Sequence, residues 1–141
     1  MPQPIRDNVL FTDLSARFQS TQTVGASPSA GSETIIATLT LAGFNDVSLV
    51  SGIRLEGWAA FTVGTNGVSA NLKIRQTNVS GTTIVSTGAV TGGISATNLV
   101  TLDVNGSDAT PGVGVYVLTL TVTGGAAAST VSAVQLLGYW V

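Results

Sequence analysis

SGIRLEGWAAFTVGTNGVSANLKIRQT (51–77) decides the fold. Residues 51–63 place Ile53, Leu55, Ala59, Phe61 and Val63 on one side of an extended chain, with Arg54, Glu56 and Trp58 on the other. A side-chain period of two describes a strand with one face on a core. GTNG (64–67) interrupts the alternation, and Asn-Gly is a favoured dipeptide of tight hairpins. The pattern then resumes with Ala70, Leu72 and Ile74 inward and Asn71, Lys73 and Arg75 outward. The stretch predicts two amphipathic strands joined by a hairpin turn.

The same pattern extends in both directions. ETIIATLTLA (33–42), TTIVSTGAV (82–90), ATNLVTLDV (96–104), GVYVLTLTVT (114–123) and STVSAVQLLGYWV (129–141) are further strands. FND (44–46), NVSG (78–81), TGG (91–93), NGSDATPG (105–112) and TGGAAA (123–128) are turns between them. VTGG occurs at both 90–93 and 122–125, as one turn solution used twice. No segment holds a 3.6-residue period over three turns. Strands without intervening helices imply an all-β, antiparallel sandwich, jelly-roll-like or of a related Greek-key type. Periodicity alone does not separate a jelly roll from an immunoglobulin-like sandwich.

The sandwich is expected to occupy residues 33–141, behind a Gly/Ser/Pro/Ala linker at 25–32 (GASPSAGS). A chain of 141 residues makes one domain with a core of its own. Residues 1–24 differ in character. They hold Arg6, Asp7, Asp13 and Arg17 together with the apolar residues Ile5, Val9, Leu10, Phe11, Leu14 and Phe18. That mixture is too apolar for a disordered tail and fits neither period. It describes an extended arm, with Ile5, Arg6, Val9, Leu10, Phe11, Leu14, Arg17 and Phe18 as its docking residues. Stretched out, the arm could reach about 80 Å. The alternative is that it returns as an edge strand of its own sandwich.

Only 9% of the residues are charged, against about 25% in a typical domain, and the net charge is -2. Five Lys and Arg cannot form the basic stripe that nucleic acid requires. No apolar run is long enough for a transmembrane helix. A mean hydropathy of +0.46 suggests area hidden between subunits. The strand VSAVQLLGYWV points the same way. Alternation puts Val131, Ala133, Leu137 and Tyr139 on one side and Val134, Leu136 and Trp140 on the other, so both sides are apolar. Trp58, Leu136 and Trp140 are the expected contacts of a homo-oligomer. Trp58 also admits two other readings, a residue covered by the arm or a loop, or a platform for a glycan.

With neither His nor Cys in the chain, the usual general base, nucleophilic thiol and zinc ligands are missing. Glu33, Asp46, Glu56, Asp103 and Asp108 are the remaining candidates for acid–base chemistry, and no spacing forces two of them into one cleft. DVNGSD (103–108) resembles a calcium loop in composition but lacks its terminal bidentate acid, so a plain turn is preferred. No catalytic residue, metal or cofactor is therefore expected. Asn78 and Asn105 begin N-x-S triplets, but Pro2, Pro4, Arg6 and Asp7 do not look like a secretory signal.

LKIRQTNVSGTTIVSTG and PGVGVYVLTLTVTGGAAASTVSAVQLLGYWV resemble small jelly-roll virion proteins of tailed bacteriophages, of the head-decoration and head-fibre type. The likeness lies in the Leu72–Arg75 strand, the Gly114–Leu120 strand and the Ala/Thr/Ser-rich last hairpin, within residues 33–141. It implies a trimer without enzymatic activity. The arm then suggests a place on the capsid exterior, with the major capsid protein as partner. The alternative is a receptor- or carbohydrate-binding module of a tail fibre or tip, with a host-surface glycan as partner.

Overall fold

A computed structural model describes residues 17–19, 21–22, 26–41, 52–111, 114–124 and 129–141. Its strands are β1 (Arg17–Gln19), β2 (Thr21–Gln22), β3 (Thr34–Thr40), β4 (Ile53–Thr62), β5 (Ser69–Gln76), β6 (Thr83–Ser86), β7 (Leu99–Asp108), β8 (Val115–Thr123) and β9 (Thr130–Trp140). There is no helix among the described residues. The strands form two antiparallel sheets, ordered β1-β9-β4-β7 and β2-β3-β8-β5-β6. From β3 onward only β5 and β6 follow one another within one sheet, and every other step crosses to the opposite layer. That interleaving is a jelly roll. Strand order thus makes the choice that periodicity left open.

The alternation of 51–77 is realised. Ile53, Leu55, Ala59, Phe61, Leu72 and Ile74 are fully buried, and Arg54 is exposed. From β8, Tyr116, Leu118, Leu120 and Val122 fill the same core, with Ile36, Ala37 and Leu39 from β3. NVSG does turn. The Asn78 Oδ1 accepts the Ser80 N–H at 2.8 Å, and the Gly81 N–H donates to the Asn78 carbonyl at 3.0 Å.

GTNG is not a hairpin. β4 and β5 lie in opposite sheets, so residues 63–68 bridge the layers. A type I′ turn needs positive φ at both central residues, and only Gly67 (φ 72°) has it here. The Asn66 Oδ1 instead accepts the Ala96 N–H at 2.7 Å and ties this crossing to the loop before β7. Residues 105–108, expected in a turn, continue β7 and pair with Ile53–Glu56. The two VTGG copies do cross between sheets, but they turn differently. Positive φ falls on Gly93 in the first and on Gly124, which corresponds to Gly92, in the second.

The last strand also departs from strict alternation. Ala60 pairs with Ala133, but Phe61 pairs with Val131, so Ser132 forms a bulge. One extra residue inverts the parity on its N-terminal side. Val131 therefore joins Val134 and Leu136 in the core, while Ala133, Leu137 and Tyr139 are half-buried on the outer face. Leu136 is 0% exposed and packs inside the sandwich. It cannot be the subunit contact expected of it. Trp140 pairs with Ile53 at the end of the strand.

Two stretches expected outside the sandwich are joined to it. Residues 26–31, in the expected linker, hydrogen-bond along it: Val131 N–H to the Ala26 carbonyl at 2.8 Å, and Gly31 N–H to the Val122 carbonyl at 2.7 Å. In the expected arm, β1 pairs with β9 (Arg17 opposite Tyr139) and β2 pairs with β3 (Thr21 opposite Thr38). The edge-strand alternative thus describes these five residues. Ile5, Arg6, Val9, Leu10, Phe11 and Leu14 lie outside the described residues, as do Phe44 and Asp46.

Candidate functional site

β9, β4 and β7 lie side by side, and their register sets the outer face of the first sheet in rows. Tyr139, Arg54 and Ser107 form one row, followed by Leu137, Glu56 and Asn105, then Gln135, Trp58 and Asp103, then Ala133, Ala60 and Thr101. Neighbours within a row are about 5 Å apart. A groove of about 380 Å³ opens across the first three rows. Arg54, Glu56, Trp58, Asp103, Asn105 and Gln135 line it, with Leu137 and the chain at Gly57 and Val104.

Trp58 is half-buried there, and its Nε1–H donates to the Gln135 Oε1 at 3.1 Å. That bond fixes the indole toward β9 and leaves Asp103 on its other flank. Arg54 Nε stands 3.6 Å from Glu56 Oε1, with the side chains 57% and 45% exposed. Such a pair contributes about 0–1 kcal/mol, but it largely cancels the two charges. Asp103 and Asn105 are exposed, and neither side chain hydrogen-bonds to the described residues. The groove is therefore polar, carries a small negative excess at Asp103 and keeps unused donors and acceptors.

The expected carboxylates separate by place. Glu33 precedes β3 on the outer face of the second sheet, where it accepts bonds from Arg75 (2.6 and 3.0 Å), Lys73 (3.1 Å) and Thr119 (2.6 Å). The Arg75 bond is the largest influence on it. With help from Thr119 and Lys73, and against burial, it lowers the Glu33 pKa to about 2. Asp108 lies inside the sandwich. It accepts bonds from Gln76 Nε2 (2.6 Å), Tyr116 Oη (2.8 Å) and the Thr110 N–H (2.9 Å). Burial pushes its pKa up, but those bonds together outweigh burial and hold it below the usual carboxylate range. Burial, with Asp108 alongside, raises the Tyr116 pKa well above that of a free phenol.

Glu56 and Asp103 do meet in one groove, a convergence that their sequence spacing does not reveal. Both face solvent, whereas the general acid of a glycosidase sits in a desolvating pocket. The calcium-like DVNGSD run is a strand, so Asp103 and Asn105 face outward and Asp108 inward. Its oxygens diverge, and no cluster of metal-ligating side chains occurs among the described residues. Gln135 has no signal in the sequence, and Asn105 and Leu137 stand out there only as the head of an N-x-S triplet and as part of an apolar strand side. Only the pairing of β4 with β7 and β9 puts them around Trp58.

No family model and no curated protein matches the sequence. Solved structures do. The chain is similar to the structure of infectious bursal disease virus, Gt strain, at TM-score 0.62 and 12% identity, over 91% of this chain and 34% of that one. The VP2 subviral particle of the same virus aligns at TM-score 0.58 and 13% identity, over 89% and 33%. A Bacillus endospore appendage aligns at TM-score 0.42 and 14% identity, over 91% and 93%. The chain spans about a third of the viral chains it matches, and at such identities the viral likeness is one of fold.

Proposed function

We propose that this chain is a non-enzymatic structural protein of a virion: a capsid decoration or head-fibre protein that assembles as a trimer and holds the major capsid protein through its N-terminal arm. The observation that carries this reading is a jelly roll with the arm's end fastened to an edge of both sheets. Chains of infectious bursal disease virus and of its VP2 subviral particle, which share the fold over 91% and 89% of this chain, support it. So does the residue inventory, since a chain without His or Cys is better suited to binding than to catalysis.

The pairing of β1 and β2 shortens the segment proposed as the arm. Residues 17–19 and 21–22 pair with the sandwich, and the proposed docking segment is residues 1–16, with Ile5, Val9, Leu10, Phe11 and Leu14 as apolar anchors and Arg6 among them. Sixteen extended residues reach about 55 Å from the sheet edge, far enough to cross onto a neighbouring subunit. Deleting 1–16 is expected to leave a folded oligomer that no longer co-sediments with capsids. Undiminished decoration by the truncated protein would overturn the arm reading.

A further inference from the structure

The geometry points to a binding site for neutral oligosaccharide on the outer face of the first sheet, with Trp58 as its platform and Asp103 and Asn105 reading the hydroxyls. A pyranose has one face of C–H bonds and a rim of hydroxyls. An indole pinned at its nitrogen offers a flat apolar surface for that face without losing much side-chain freedom, since the Gln135 bond already orders it. Asp103 stands directly opposite Trp58 on β7, and Asn105 follows two residues on, on the same face. An ionised carboxylate only accepts, an amide donates and accepts, and a hydroxyl does both. A carboxylate beside an amide therefore matches two adjacent hydroxyls. Both side chains are unused by the described residues, so binding breaks no protein bond.

Charge narrows the ligand class. Arg54 and Glu56 pair with one another, which leaves the Asp103 carboxylate as the excess in the groove. Sialylated, sulfated and phosphorylated glycans would meet a like charge there. A second copy of this chain is a poorer occupant, because interface cores are depleted of charged residues and an Asp buried without a partner is costly. The volume of about 380 Å³ lies within the roughly 300–1,000 Å³ of small-molecule sites.

The test uses the full chain on an array of neutral hexose- and N-acetylhexosamine-terminated glycans beside sialylated and sulfated ones. Reproducible binding to neutral glycans is expected, reduced at least tenfold by Trp58→Ala and by Asp103→Ala, with native mass unchanged in both and melting temperature unchanged in Asp103→Ala. Asp103 is exposed, so its variant separates loss of ligand from loss of fold. An array without hits, hits confined to anionic glycans, or hits indifferent to both variants would overturn the proposal. A Trp58→Ala protein that falls to a lower native mass would assign the face to contact between copies instead.

Discussion

Three glycines in the strands of the first sheet set how closely the two layers approach. Gly57, Gly106 and Gly138 all have ordinary extended backbone, so conformational freedom is not what they supply. Gly106 and Gly138 stand on either side of Leu55 in one row. A Cβ at Gly138 would come within 2.8 Å of Leu39 and 2.9 Å of Ile53, and one at Gly57 within 2.7 Å of Leu118. Those contacts are with the ends of flexible side chains. At Gly106 the contact is with the Cβ and Cγ1 of Val85, both 2.9 Å away, and these move only if β6 moves. Gly106→Ala should therefore cost about 1–3 kcal/mol and exceed Gly57→Ala, read as urea midpoints at unchanged slope. Equal midpoints for wild type and Gly106→Ala would refute this account of the packing. The same residue accounts for the strand at 105–108, where the sequence predicts a turn. Asn-Gly favours a hairpin by local preference, but here a long-range neighbour selects the glycine, and no local pattern shows that neighbour.

At the scale of the element, the seven strands from β3 to β9 were legible because alternation records which face meets the core. Partnership was not legible. Trp58 and Gln135 are 77 residues apart, and Glu33 and Thr119 are 86 apart. The bulge at Ser132 likewise changes the parity of β9 without any local sign. One such long-range set joins three strands of the second sheet, with Glu33 before β3 gripping Lys73 and Arg75 on β5 and Thr119 on β8. Its folded pKa is depressed, as is that of Asp108. A carboxylate of this kind binds fewer protons folded than unfolded. For Glu33 this stabilisation is complete above the ordinary glutamate value of 4.5 and is lost as pH falls toward about 2. The melting temperature should be nearly flat from pH 6 to 8, since no His titrates there, and should drop steeply below about pH 4.5. Glu33→Gln should cost roughly 2 kcal/mol at neutral pH and flatten part of the acid limb. An acid limb of wild-type steepness in that variant would remove Glu33 as its source.

At the scale of the whole molecule, the proposed self-assembly rests on fewer residues than the sequence suggests. Leu136 belongs to the core, and Trp58 lies in a polar groove. Trp140, last residue of β9, remains as the proposed contact of a trimer. Native mass spectrometry of the full chain is expected to give three copies, and Trp140→Ser to release monomers. A wild-type monomer would refute the trimer, and an intact assembly of the variant would place its contacts elsewhere. The short strands β1 and β2 have a mechanical meaning as well. They hand one chain from the edge of one sheet to the edge of the other, so a pull on residue 16 meets ladders in both layers before it reaches the core. Were the N-terminal segment the proposed tether, the β1 ladder would yield first and the β2 ladder next, both at the rim, before the interior opens.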